Sequence, residues 1–184
     1  MATAKTGSFY LTETVAIPAA SAAGTRIQGE IDLGAYINVP TGQAIAVESV
    51  DFIYQAGSAF SQAANFFLQA NGCVSAQLSD LNPGTAFVRA DDQSLIASGA
   101  MNLDSVNAIS SNEMDLYPDN FGPAALSEAF LVVNDTLYLV GGNNGSATSL
   151  AEIVYVTVRI KARVVRLSTK DWMAIAIQST ASDN

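Results

Sequence analysis

Histidine is absent from the chain. Its absence removes the commonest general base, the usual partner of a catalytic serine or cysteine, and the commonest metal ligand. Cysteine occurs once, as Cys73. No intrachain disulfide can form, and a zinc site built from cysteine and histidine is excluded by count. Charge is scarce too: Asp, Glu, Lys and Arg make up 14% of the residues, against about 25% in an ordinary soluble domain. Only three lysines occur, Lys5, Lys161 and Lys170. There is no long hydrophobic run either. A membrane-spanning helix needs about 20 mostly apolar residues, and the stretch from Trp172 to Ile177 is far shorter. No apolar segment follows Lys5, so the N-terminal sequence predicts no secretory signal and synthesis in a cytoplasm.

What remains is unusually apolar for a chain without a span. Hydrophobic residues make up 49% and the mean hydropathy is +0.26. With 184 residues, one domain over residues 1–184 can bury roughly 70% of its extended-chain surface. So few charges leave little to solvate a surface. Either neighbouring subunits cover part of it, or Ser, Thr, Asn, Gln and Gly do. The net charge is −9 and uneven. Residues 1–149 hold 14 acids and 3 bases, and residues 150–184 hold 3 acids and 5 bases. An acidic body repels nucleic acid, so no direct nucleic-acid binding is expected.

Strand-like alternation dominates. Phe9 to Ile17 reads as a first strand, stopped by Pro18. Thr25 to Leu33 reads as a second, with Ile27, Ile31 and Leu33 on one face and Arg26, Gln28, Glu30 and Asp32 on the other. In Gln43 to Gln55 the apolar parity changes: Ile45 and Val47 share one phase, and Val50, Phe52 and Tyr54 the other. Side chains alternate with period two, so a β-bulge near Glu48-Ser49 is predicted. Short strands are predicted over Asn65 to Ala70 and Gly72 to Leu78, joined at Asn71-Gly72. Thr85 to Ala90 reads as a strand, and about 91–130 as a loop-rich segment with short strands and one or two helical turns over Pro123 to Phe130. Phe130 to Val140 reads as one strand, and Gly141-Gly142-Asn143-Asn144-Gly145 as a connection. Val154 to Val164 is the cleanest alternation. Ser168 resembles a helix cap with Asp171 in the first turn, but the apolar run after it fits helix or strand equally. The sum is an all-β chain: an antiparallel β-sandwich, a single jelly roll of about eight strands with little helix.

Candidate chemistry is thin. Asp91-Asp92, and Asp115 with Asp119, offer carboxylates that a glycosidase or a loosely bound calcium ion would need; adjacent loop acids serve more commonly as turn residues. Gly141 to Gly145 lacks the lysine and hydroxyl residue of a phosphate-binding loop. Cys73 fits a small buried hydrophobe. Trp172, Tyr155, Tyr54, Tyr36 and Tyr10 suit a sugar platform, or core and interface anchors. No catalytic residue, metal or cofactor is expected. The one charge constellation is a basic stripe, Arg159, Lys161 and Arg163, extended by Arg166 and Lys170. Alternate residues of a strand point the same way, so on an acidic protein this stripe suits an acidic partner surface, or else a solvated strand face.

A short, charge-poor chain rich in Ala, Ser and Gly, with this strand rhythm and a long clean final strand, resembles the single-jelly-roll capsid proteins. The likeness is to the small major capsid proteins of tailless icosahedral viruses of halophilic archaea and thermophilic bacteria, which enclose an internal membrane. It rests on size, rhythm and acidity over most of the chain, and no family residue is carried over. It implies a virion structural protein in the capsid. Its partners would be copies of itself and a paralogous capsid protein, with contact to the internal viral membrane. Two other readings fit the sequence: a carbohydrate- or receptor-binding sandwich, and a phage tail-tube-like assembly protein.

Overall fold

The computed structural model describes residues 2–60, 71–104, 106–107, 109–113, 129–144 and 152–181. Among these described residues, ten strands form two five-stranded antiparallel sheets: β1 (Thr3–Ala4), β2 (Phe9–Ile17), β3 (Arg26–Asp32), β4 (Gln43–Ala56), β5 (Gly72–Ser79), β6 (Leu95–Asp104), β7 (Ile109–Glu113), β8 (Phe130–Val132), β9 (Thr136–Asn143) and β10 (Val154–Arg166). One helix, α1 (Thr169–Ala181), follows.

The pairing is nested. β5 pairs with β6, β4 with β8, β3 with β9 and β2 with β10. This is one long hairpin, and rolling it up creates two further ladders, β4 with β10 and β5 with β9. The first sheet then reads β2-β10-β4-β8 and the second β3-β9-β5-β6. That is the jelly roll, with β1 added beside the end of β10 and β7 beside β6.

Alternation builds the core. Val154, Val156, Val158, Ile160 and Ala162 face inward from β10. Ile45, Phe52 and Tyr54 from β4, Val74 and Leu78 from β5, and Leu137 and Leu139 from β9 complete the layer between the sheets. The parity change in β4 is resolved as expected. Lys161 pairs with Ser49 and Ala162 with Val47, so Glu48 is the extra, bulged residue.

Several expectations are corrected. Thr85 to Ala90 is not a strand. Gln77 clips it instead: its side-chain amide donates to the carbonyl oxygen of Val88 (3.0 Å) and accepts from the Val88 amide (2.8 Å). One glutamine replaces a ladder, so the alternation there carries no sheet. The loop-rich segment contains the ten-residue β6. Its centre, Ala97-Ser98-Gly99-Ala100, is buried on both faces, which erases the period-two signal. Phe130 to Val140 is two strands, because the chain turns at Val133–Asp135 and changes sheets. Gly141 and Gly142 belong to β9. A Cβ on Gly141 would lie 2.7 Å from Val15 Cγ2, so glycine there permits close approach of the two sheets. The expectations for Asn65 to Ala70, for the helical turn near Pro123, and for Asp115 and Asp119 lie outside the described residues.

Ser168 caps α1, its hydroxyl accepting from the Asp171 amide at 3.2 Å. The helix packs Trp172, Ile175 and Ala176 on the outer side of the first sheet, over Ala44, Ala46, Val165 and Leu167. Hydrogen bonds gather one end of the sandwich: Leu33 N to Asp135 O (2.7 Å), Asp80 N to Ser94 O (3.0 Å), and Leu167 N to Gly42 O (2.8 Å). Helix α1 starts at that same end.

Candidate interaction surface

The basic stripe divides into parts with different partners. Arg159, Lys161 and Arg163 share the outer face of β10, as alternation requires. The bulge brings Glu48 to the same face. Its carboxylate accepts from the Arg163 guanidinium and from Ser8 Oγ (2.9 Å), and lies 3.5 Å from Lys161 Nζ. Glu48 is only 5% exposed at its side chain. Burial pushes its pKa up, but the Ser8 and Arg163 hydrogen bonds and the charges of Arg163 and Lys161 outweigh that and hold it below the ordinary carboxylate value. Two of the five stripe cations therefore share a single counter-charge within the chain. Arg159 lies over the Tyr10 ring, 5.1 Å from its centroid. Within the stripe, Glu48 therefore stands as an acid among the bases, and its members differ in what they touch.

Arg166 and Lys170 differ. Both are exposed, and neither forms an ion pair among the described residues. Lys5 joins them, for β1 pairs Thr3 with Arg166 and Lys5 Nζ donates to Gln43 Oε1 (2.7 Å). Beside these cations runs α1, which carries no charged residue from Trp172 to Ala181. One side of it is packed. On the other side Met173 and Ile177, one turn apart, are 55% and 63% exposed.

The second sheet presents the opposite sign at the same end. Glu30 and Asp32 stand exposed on the outer face of β3, and Asp135 is exposed at the adjoining corner. At this end Asp80, just after β5, is buried, 2% exposed. Its Oδ1 has no hydrogen-bond partner, and its Oδ2 is 3.4 Å from Asn134 Nδ2. Burial, reinforced by the nearby charge of Asp92, pushes this carboxyl up to about 7 despite a backbone hydrogen bond that lowers it. Nothing in the sequence pattern marks Asp80; its burial depends on the loop from Asp80 to Ser94 folding back.

The remaining candidates have structural surroundings. Asp91 pairs with Arg89 at 3.1 Å on an exposed turn, and Asp92 accepts from Ser94 N (2.9 Å) and Oγ (2.7 Å). Tyr54 is buried between the sheets, and Tyr36 stacks on Phe9. Trp172 packs under α1. Tyr155 sits on the outer face of β10 with its ring centroid 5.4 Å from that of Phe60. Cys73 is half-buried, its Sγ 3.1 Å from Ser75 Oγ. Among the described residues, no three Asp, Glu or Cys side chains gather to hold a metal ion, and no helix is long and apolar enough to cross a membrane. No protein-family model matches the chain, and no curated protein matches it significantly.

Proposed function

We propose that the chain is a virion structural protein, a capsid shell subunit that assembles with copies of itself and with a paralogous capsid protein. One observation carries the reading most. The jelly roll is followed by a helix whose middle, Trp172 to Ile177, is apolar throughout, with Trp172, Ile175 and Ala176 packed and Met173 and Ile177 exposed. Exposed apolar surface of this kind suits a contact with another protein surface. The low charge content points the same way, since shell subunits bury much of their surface against neighbours. In this reading the protein acts in the virion after synthesis in the host cytoplasm, and its function is mechanical: to fill space and hold register.

Light scattering across protein and salt concentration, followed by negative-stain imaging, tests it. Rings, capsomers or shells are the expected result. A 19.2 kDa monomer under all conditions, alone and with co-expressed paralogous shell protein, sinks the proposal.

A carbohydrate- or receptor-binding module is the second reading. It is favoured by the uncovered part of the first sheet, where Tyr10 and Phe60 are exposed near Arg159 and Tyr155. Trp172 is not available to it. A glycan screen with wild type and Tyr10→Ala separates the two readings: binding that the substitution abolishes favours the module, and its absence in both removes it.

A further inference from the structure

One end of the sandwich carries both signs of charge, separated across its thickness. On the flank of the first sheet, Lys5, Arg166 and Lys170 gather about the start of α1, beside the acid Asp171. On the flank of the second sheet, at the same end, Glu30, Asp32 and Asp135 are exposed and form no ion pair among the described residues. The uncovered apolar strip, Met173 and Ile177, lies on the cationic flank.

This distribution decides between two ways of meeting a second copy. A two-fold contact places the same patch on both sides. Built on α1, it would bring two copies of the same cation-rich patch together with no acidic flank between them, and like charges brought together oppose association. A head-to-tail contact sets the α1 flank of one copy against the β3 flank of the next. It covers Met173 and Ile177 and pairs Arg166 and Lys170 with Glu30 and Asp32.

We infer that the α1 flank is a heterologous self-assembly surface whose occupant is the acidic β3 flank of a second copy, standing side by side with the same end up. The inference rests on the shell-subunit reading and names the contact through which the shell grows. Contact size fits this role. The helix is about 20 Å long, and one exposed side of it covers far less than the roughly 800 Å² per partner of a stable pair. An isolated dimer is therefore not expected. Side-by-side contacts with a constant rotation close into rings, where each subunit is held on two flanks at once.

A charge-swap experiment tests the contact. One variant carries Arg166→Glu and Lys170→Glu; the other carries Glu30→Lys and Asp32→Lys. All four positions are exposed, so both variants retain the fold, which circular dichroism checks. Each variant alone is expected to stay at the monomer mass under conditions where wild type assembles. Their equimolar mixture is expected to regain the wild-type mass, because each flank again meets its opposite. Raising the salt weakens the wild-type assembly, and Met173→Glu with Ile177→Glu abolishes it. If wild type assembles and both variants alone assemble equally well, this contact is refuted while the shell reading stands. If only the α1 variant fails alone, the contact is two-fold and the head-to-tail geometry is refuted. If wild type never assembles, the shell reading falls first and the contact with it.

Discussion

Replacing Asp80 by asparagine is expected to stabilise the protein above neutral pH and to remove a pH dependence that wild type shows. Asp80 is 2% exposed, and its Oδ1 has no hydrogen-bond partner. Its carboxyl rises from an ordinary value of 3.8 to about 7, through burial first and the nearby charge of Asp92 second. The sign follows from proton linkage. Between about pH 4 and pH 7 the folded chain keeps a proton that the unfolded chain releases, so stability falls as pH rises through that window. At about 1.4 kcal/mol per tenfold change in proton affinity, the full loss is about 4 kcal/mol. That is a large fraction of the roughly 5–15 kcal/mol that holds a domain together.

The asparagine carries no charge to desolvate, but its amide needs a partner that Oδ1 lacks, at a cost of about 1–3 kcal/mol. The net gain at pH 8 is therefore about 1–3 kcal/mol, and below pH 5 the variant is the less stable chain. Urea unfolding followed by Trp172 fluorescence at pH 5, 6, 7 and 8, at a dilution where the chain is monomeric, measures both curves. The difference between the two chains isolates the Asp80 site, because the pair of Glu48 with Arg163 is the same in both. A difference that stays constant from pH 5 to pH 8 would refute the reasoning, and so would a variant less stable at pH 8.

Other substitutions probe separate parts of the fold. Glu48→Gln leaves the mostly buried Arg163 without its counter-charge and should cost about 3 kcal/mol in urea unfolding; pairing it with Arg163→Met should recover most of the loss. Because Glu48 titrates below its ordinary value, wild type should lose stability as pH falls below the usual carboxylate range, and the difference from the glutamine variant should shrink there. Gly141→Ala pushes a methyl group against Val15 and Val156 and should lower stability by about 1–3 kcal/mol, read as a fall in the thermal midpoint. Ser168→Ala removes the hydroxyl that accepts from Asp171 N and should cost about 1 kcal/mol by helix-sensitive circular dichroism.

Strands that are half-buried were legible in the sequence, and strands buried on both faces were not. β2, β3 and β10 alternate because one side of each meets the opposite sheet and the other meets solvent. β6 has neighbours on both faces, and its Ala, Ser and Gly residues were indistinguishable from a loop. Gly141 and Gly142 looked like a connection because their role is close approach, which depends on Val15 over a hundred residues away. Thr85 to Ala90 had the alternation and no ladder, since Gln77 satisfies Val88 alone. The helix was undecidable from its apolar run, and only the Ser168 cap pointed to it. At the surface, the sequence placed the basic residues on one face but not their partners. Glu48 pairs with Arg163 across 115 positions of chain.

The bulge connects these points. A strand with a constant phase could not keep both halves of β4 facing inward, and the apolar parity in the sequence already required one extra residue there. The structure makes that residue Glu48, on the polar face between Lys161 and Arg163. The same insertion that keeps Ile45 and Phe52 in one core therefore puts a counter-charge in the middle of the basic stripe. What is left uncompensated is not the strand face that the sequence emphasised. It is the end beyond it, where Arg166 and Lys170 form no ion pair among the described residues and Met173 and Ile177 of α1 are exposed, opposite a flank of exposed acids. If Glu48→Gln frees Lys161 and Arg163 while the fold holds, the cationic surface extends back along β10. The contacts between copies should then lose their preference for the α1 flank. Cross-linking of Lys170 to Glu30 or Asp32 between isotope-labelled and unlabelled copies should fall relative to wild type, as Lys161 competes for the same acids. Unchanged cross-linking in that variant would mean that charge does not choose the contact, and that the apolar side of α1 does so alone.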